Sequence, residues 1–151
     1  MITQGIEVRQ ATIADLDIVV PLFDQYRRFY RQPGDPERAH RFLRESLECK
    51  QSVILLAYEN VAAVGFTQLY PSFSSGAMAP IFILNDLCVA PESRGRGAGS
   101  ALLHTAAEYG RRAGALRLVL STEVANATAQ SLYEKLGWKR DIVFCAYHLA
   151  L

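Results

Sequence analysis

The stretch Leu87-Cys88-Val89-Ala90-Pro91-Glu92-Ser93-Arg94-Gly95-Arg96-Gly97-Ala98-Gly99 constrains this chain more than any other. A hydrophobic strand pattern runs into a turn holding three glycines, and a helical pattern opens behind it. Glycine lets successive backbone N–H groups converge with no Cβ in the way. The unsatisfied N–H groups of a helix start add partial positive charge, and Arg94 and Arg96 add full charges. Such a turn suits an anion, and a pyrophosphate is a natural occupant. A Walker loop would require Gly-Lys-Ser/Thr, and the lysine is missing. A dinucleotide fingerprint would require glycine where Ser100 stands, and it would open on the first strand of its fold. Here the turn lies well into the second half of the chain.

The pattern around the turn predicts a β-α-α-β-β-β-α-β-α-β order. Ile6 to Arg9 alternates like a short strand. Thr12, with Asp15 three residues on, forms a partial capping box ahead of a helix to about Arg31, which carries Leu16, Val19, Val20, Phe23 and Tyr26. Pro33-Gly34 breaks that helix, and Asp35 caps a second one from Pro36. Ser52–Tyr58 and Val61–Tyr70 read as strands joined at Glu59-Asn60, with a loop from Pro71 to Gly76. Ile81–Val89 is a third strong strand, followed by a helix from Gly97 to Ala113. A buried strand over Leu116–Leu120, a helix capped by Asn126 and ending at Gly137, and a strand over Ile142–Leu149 close the chain. Strands dominate the middle and helix–strand alternation the second half. The expectation is therefore an α/β fold with a mixed sheet and helices on both faces.

At 151 residues the chain fits a single domain, 1–151. Its net charge of +1 gives no general electrostatic reason to bind nucleic acid or an anionic membrane. The three cysteines are widely spaced without a CxxC pair, which suggests reduced thiols rather than a disulfide framework or a metal site. His40, His104 and His148 stand singly, and no metal is expected. The start lacks a signal-peptide pattern, and no apolar run approaches the roughly 18 residues of a spanning helix. A cytoplasmic protein that engages no membrane is the simplest expectation.

Arg94-x-x-Gly97-x-Gly99 behind a strand resembles the Arg/Gln-x-x-Gly-x-Gly/Ala signature of the GNAT family of N-acetyltransferases. Asn126-Ala-Thr-Ala-Gln-Ser-Leu-Tyr133-Glu-Lys-Leu-Gly137-Trp138 resembles the family's second signature, at the right separation. Ile83–Val89 is similar to its fourth strand. The Leu84-Asn85-Asp86-Leu87 stretch and the Phe66-to-Phe73 region look most like the branch of spermidine/spermine and thialysine acetyltransferases. The resemblance implies the GNAT fold, with six to seven strands. It also implies acetyl-CoA as co-substrate and direct transfer to an amine in a ternary complex. A homodimer built partly by the last strand is common in the family.

Carried over residue by residue, the resemblance implies a pantetheine arm against the backbone of Leu87, Cys88 and Val89, with Cys88 N–H or a neighbour facing the oxyanion. It implies a pyrophosphate on Arg94, Gly95, Arg96, Gly97, Ala98, Gly99 and Ser100. Tyr133 matches the tyrosine that protonates the departing thiolate, and Asn126 caps its helix and can touch the cofactor. The polyamine-type relatives carry Glu-Asp where this chain has Asn85-Asp86. Strand alternation would send those two side chains to opposite faces, leaving Asp86 to bind an ammonium, accept its proton through water, or be structural. Glu123 or a water chain are alternatives as base. Tyr26, Arg27 and Asn85 are the acceptor candidates, with Arg27 favouring a carboxylate. The implied reaction is acetylation of a small-molecule amine, polyamine or amino-acid-like. Acetylation of a protein lysine or N-terminus, and a non-catalytic acyl-CoA-binding module, are the alternatives.

Overall fold

The computed structural model describes residues 2–3 and 5–151, which divide into two compact units, Met1–Leu120 and Ser121–Leu151. The larger unit is built on a six-stranded sheet in the order β1-β2-β3-β4-β5-β6. Its strands are β1 (Ile2–Thr3), β2 (Ile6–Gln10), β3 (Val53–Glu59), β4 (Ala62–Ser74), β5 (Ala79–Val89) and β6 (Leu118–Val119). Neighbours from β1 to β5 pair antiparallel. β5 and β6 run parallel, because helix α3 (Ala98–Arg112) carries the chain back between them. The sheet is mixed, as the element order predicts.

Helices α1 (Leu16–Phe29) and α2 (Pro36–Glu48) fill the excursion from β2 to β3. Leu16, Val19 and Phe23 of α1 and Ala39 and Leu43 of α2 share one core with Ile54, Leu56, Tyr58, Phe66 and Cys88 of the sheet. Alternation puts Leu55 and Ala57, equally buried, on the opposite face, where α3 packs across β2 to β5 with Leu102, Leu103 and Ala106 buried. The predicted caps form. Thr12 and Asp15 make a reciprocal capping box, on a 3-10 turn (Ile13–Asp15) that leads into α1. Asp35 accepts from Arg38 N–H at 3.1 Å, with Pro36 at the first position of α2.

Some predicted boundaries move. β4 continues through Pro71 to Ser74 where a loop is predicted, because the β4–β5 hairpin stays paired as far as Ser74 and Ala79. Pro71 lies beyond the last β3 pairing, at Leu69, so its missing N–H forfeits no bond on that side. The predicted buried strand at Leu116–Leu120 reduces to the half-buried β6, which meets β5 only at Phe82 and Ile83.

The smaller unit holds helix α4 (Ala127–Lys135), capped by Asn126, whose Oδ1 accepts from Ala129 N–H at 3.1 Å. Gly137, at φ +92°, ends it, with Trp138 N–H reaching back to Tyr133 C=O at 3.0 Å. The predicted strand Ile142–Leu149 is not a strand: this unit contains no other strand to pair with, and Ile142, Phe144, Tyr147 and Leu149 are exposed.

Gly65 on β4 sets how closely β4 and β5 approach next to the Gly-rich turn. A Cβ there would stand 2.6 Å from the carbonyl oxygen of Cys88 and 3.3 Å from Val89 Cα. Both are backbone atoms, so relief requires the strands to part. Gly65→Ala is expected to cost about 1–3 kcal/mol, the range for forced overpacking, read as a lower urea midpoint at unchanged m-value.

Candidate active site

β5 carries one extra residue in the middle of its pairing with β4. Leu84 pairs with Leu69 and Asp86 with Gln68, so Asn85 has no partner and forms a β-bulge. The bulge corrects the expectation that Asn85 and Asp86 face opposite ways. It also resets which backbone groups turn outward. Ala90 N–H donates to Val64 C=O at 2.8 Å, so Cys88 and Asp86, in even steps from Ala90, also direct their backbone groups at β4. Leu87 and Val89 direct theirs to the opposite edge. There β6 pairs with Phe82 and Ile83, and among the described residues β5 beyond Ile83 has no ladder partner on that side. The N–H groups that turn to this edge are therefore those of Leu87 and Val89 rather than Cys88.

Behind the bulge lies a buried carboxylate. Asp86 is 1% exposed, and its Oδ2 accepts from Gln68 Nε2 at 2.5 Å and its Oδ1 from Asn85 Nδ2 at 2.7 Å. Gln68 is held in turn by Ser52, whose Oγ donates to Gln68 Oε1 at 2.8 Å. Thr67 Oγ donates to the Asp86 carbonyl at 2.7 Å. Burial pushes the Asp86 pKa up, while the bonds from Asn85, Gln68 and Tyr26 pull it back. Ser52, Thr67 and Gln68 are absent from the sequence-derived site. The signal available for Thr67 and Gln68 is two polar residues in the interior of an otherwise apolar run, Val64 to Leu69; Ser52 carries none.

Helix α1 covers this region with aromatic rings. Tyr26 packs edge-on to Phe66, beside Phe23 and Tyr30, and its hydroxyl donates to Asn85 C=O at 3.2 Å. The tyrosine thus caps the carbonyl that the bulge withdraws from the ladder. Burial, then the Asp86 charge, raises the Tyr26 hydroxyl well above its ordinary pKa and Tyr70 to about 12, so both are protonated donors near pH 7. Arg27 sits elsewhere on the helix surface, and its Nη1 donates to Pro33 C=O at 2.8 Å. Buried Asp24 fastens the same loop by accepting from Arg28 Nε and from Asp35 N–H, both at 3.0 Å. Cys88 is buried, and burial raises its thiol to about 11, so it is a neutral thiol rather than a nucleophilic thiolate at pH 7.

At the far end of β5 the Gly-rich turn takes the shape an anion requires. Gly95 and Gly97 have φ of +77° and +94°, and no heavy atom lies within 4 Å of where a Cβ would stand. Gly97 is the N-cap of α3, with no side-chain cap bond and no acidic residue in the first turn. The N–H groups of Ala98, Gly99 and Ser100 open the helix. Arg94 is drawn back to Val89 C=O at 3.1 Å and lies near the Phe29 ring. Arg96 pairs with Glu59 through Nη1, at 3.1 Å from each carboxylate oxygen, so its charge is shared with that acid. The cradle is thus mainly backbone and helix end. In the smaller unit, Tyr133 lies on α4 with its ring 6.0 Å from that of Trp138, and Gln130 Nε2 fixes the helix entry by donating to Glu123 C=O and Val124 C=O.

The family described as "Acetyltransferase (GNAT) family" matches residues 19–138, from α1 through the end of α4. The chain is 50% identical over 142 residues to the uncharacterized N-acetyltransferase YhfO of Bacillus subtilis, spanning 94% of this chain and 95% of that protein. It is 30% identical over 126 residues to a probable acetyltransferase of Haemophilus influenzae, spanning 83% and 84% of the two. The crystal structure of a probable acetyltransferase shares the fold with a TM-score of 0.91 at 41% identity, over 96% of this chain and 97% of that one. The chain belongs to the GNAT family, as an acetyl-CoA-dependent N-acetyltransferase.

Proposed function

We propose that the chain acetylates a primary amine of a small molecule, polyamine or amino-acid-like, by direct transfer from acetyl-CoA in a ternary complex. The observation that carries this reading is the open edge of β5 between the Asn85 bulge and the Gly97 turn. It offers the backbone groups of Leu87 and the N–H of Val89 to a pantetheine arm and the α3 start to a pyrophosphate. Tyr26 and Asn85 stand at its other end, suited to the acceptor. The likeness of Leu84–Leu87 and Phe66–Phe73 to the spermidine/spermine and thialysine branch supports a small amine over a protein.

In the reaction, the amine nitrogen lone pair attacks the thioester carbonyl and forms the C–N bond. The tetrahedral oxyanion takes a backbone N–H from the β5 edge. The C–S bond then breaks, and the thiolate leaves with a proton from the Tyr133 hydroxyl. With Asp86 enclosed behind Asn85, the amine proton leaves through water. The neutral Cys88 thiol favours direct transfer over an acetyl-cysteine intermediate.

Release of free thiol from acetyl-CoA, followed across a panel of small amines and a lysine peptide, tests the reading. Turnover of a small amine is expected. Acetylation of the peptide alone, or coenzyme A binding without turnover of any amine, overturns it. Tyr133→Phe should lower kcat about a hundredfold or more while leaving acetyl-CoA affinity nearly unchanged; an unaltered kcat removes Tyr133 as the acid. Gly97→Glu forces a side chain onto a φ of +94° and an anion into the cradle. It should abolish coenzyme A binding in calorimetry while the circular dichroism spectrum stays that of the parent.

A further inference from the structure

Four side chains around the bulge form a hydrogen-bonded series, and with Asp86 as the carboxylate that series has only one consistent direction. An ionised carboxylate accepts and never donates. Gln68 must therefore turn its NH2 to Asp86, which leaves Gln68 Oε1 to accept from Ser52, as it does at 2.8 Å. Asn85 must likewise turn its NH2 to Asp86, at 2.7 Å. Its Oδ1 is then the atom left to accept. Asn85 is exposed whereas Asp86 is not, so the accepting atom available to a ligand at the bulge is an amide oxygen.

We infer that Asp86 is a positioning residue for Asn85. The pair gives the acceptor subsite a neutral hydrogen-bond acceptor, suited to the α-amine of an amino-acid amide rather than to an alkyl polyamine. The inference rests on the reading of the β5 edge as an acetyltransferase acceptor site. A carboxylate at position 85 would hold an ammonium by charge and discharge it on the spot. An amide oxygen accepts from an N–H but does nothing to favour loss of the ammonium proton, so the substrate must supply its own neutral fraction. An α-amine, with a pKa of about 8, is about one-tenth neutral at pH 7, whereas an alkyl amine near 10.4 is neutral at roughly one part in 2,500.

The surroundings favour the same class. Tyr26 from α1, Tyr70 from β4 and Cys88 from β5 interact with Asp86, and none of them brings a second carboxylate for a polycation.

The test assays the full chain with acetyl-CoA at pH 7 against L-alaninamide and spermidine. L-Alaninamide is expected to have the higher kcat/KM, by about ten-fold or more. Asn85→Leu should lower kcat/KM for L-alaninamide about ten-fold, one hydrogen bond's worth, with the KM for acetyl-CoA within about two-fold. Asn85→Asp removes the NH2 that bonds Asp86 and adds a carboxylate at the bulge, so it should lose the amide-set preference and narrow the ratio between the two amines, which a merely structural role for position 85 would not do. Preference for spermidine, or an Asn85→Leu variant equal to the parent on both amines, overturns the inference.

Orientation is read separately by side-chain amide NMR, which requires no turnover. The Asn85 and Gln68 NH2 signals, assigned by their loss in Asn85→Leu and Gln68→Met, should both shift in Asp86→Asn. Signals that stay in place overturn the positioning role of Asp86. Shifted signals with neither amine acetylated leave the orientation standing and overturn the acceptor-site reading beneath it.

Discussion

The single extra residue in β5 is the constraint on which the rest of this site depends. A regular β4–β5 ladder would bury the backbone of every second residue against β4 and send Asn85 and Asp86 to opposite faces. The bulge breaks that alternation once. Toward the turn it leaves Leu87 and Val89 facing an open edge, and at the bulge it frees a carbonyl that Tyr26 caps from helix α1. It also brings the Asn85 amide against the Asp86 carboxylate. The peptide edge proposed for the acyl donor and the polar end proposed for the acceptor thus follow from one irregularity.

Two glycines then solve opposite problems within a short distance along the sheet. Gly65 is needed for lack of room, because a Cβ would strike the backbone of Cys88. Gly97 is needed for its backbone angle, because the space beyond it is open and must stay open for an anion. The arginines beside it are more engaged with the protein than their spacing suggests. Arg96 answers to Glu59 and Arg94 to a backbone carbonyl, so much of the attraction for a phosphate is left to the α3 helix start.

Features carried by local chemistry were legible in the sequence. Caps at Thr12, Asp35 and Asn126, the turn at Gly97 and the mixed sheet all follow from residues a few positions apart or from element order. What was not legible depends on pairing between distant segments. The bulge is a matter of register between β4 and β5, invisible in a strand whose own pattern reads as regular. Ser52 and Gln68 join the site only because β3, β4 and β5 bring them into line with Asp86. The last segment, Ile142–Leu149, has a strand's composition, but a strand requires a partner, and composition does not supply one.

A buried carboxylate is an expensive way to stabilise a sheet. Desolvation raises the free energy of its charged form, and each donor around it only offsets that cost in part. An apolar residue at position 86 would pack between the same strands without needing Gln68 and Ser52 at all. What the carboxylate adds is direction: acceptor-only chemistry at the centre forces both flanking amides to one orientation, and it does so through bonds of 2.5 and 2.7 Å. An amide alone at the bulge could present either its NH2 or its oxygen to an incoming amine. Bonded to Asp86 through its NH2, Asn85 presents the oxygen, and in the proposed acceptor site an amine nitrogen that must keep its lone pair for the thioester would meet an acceptor for its N–H rather than a competing donor.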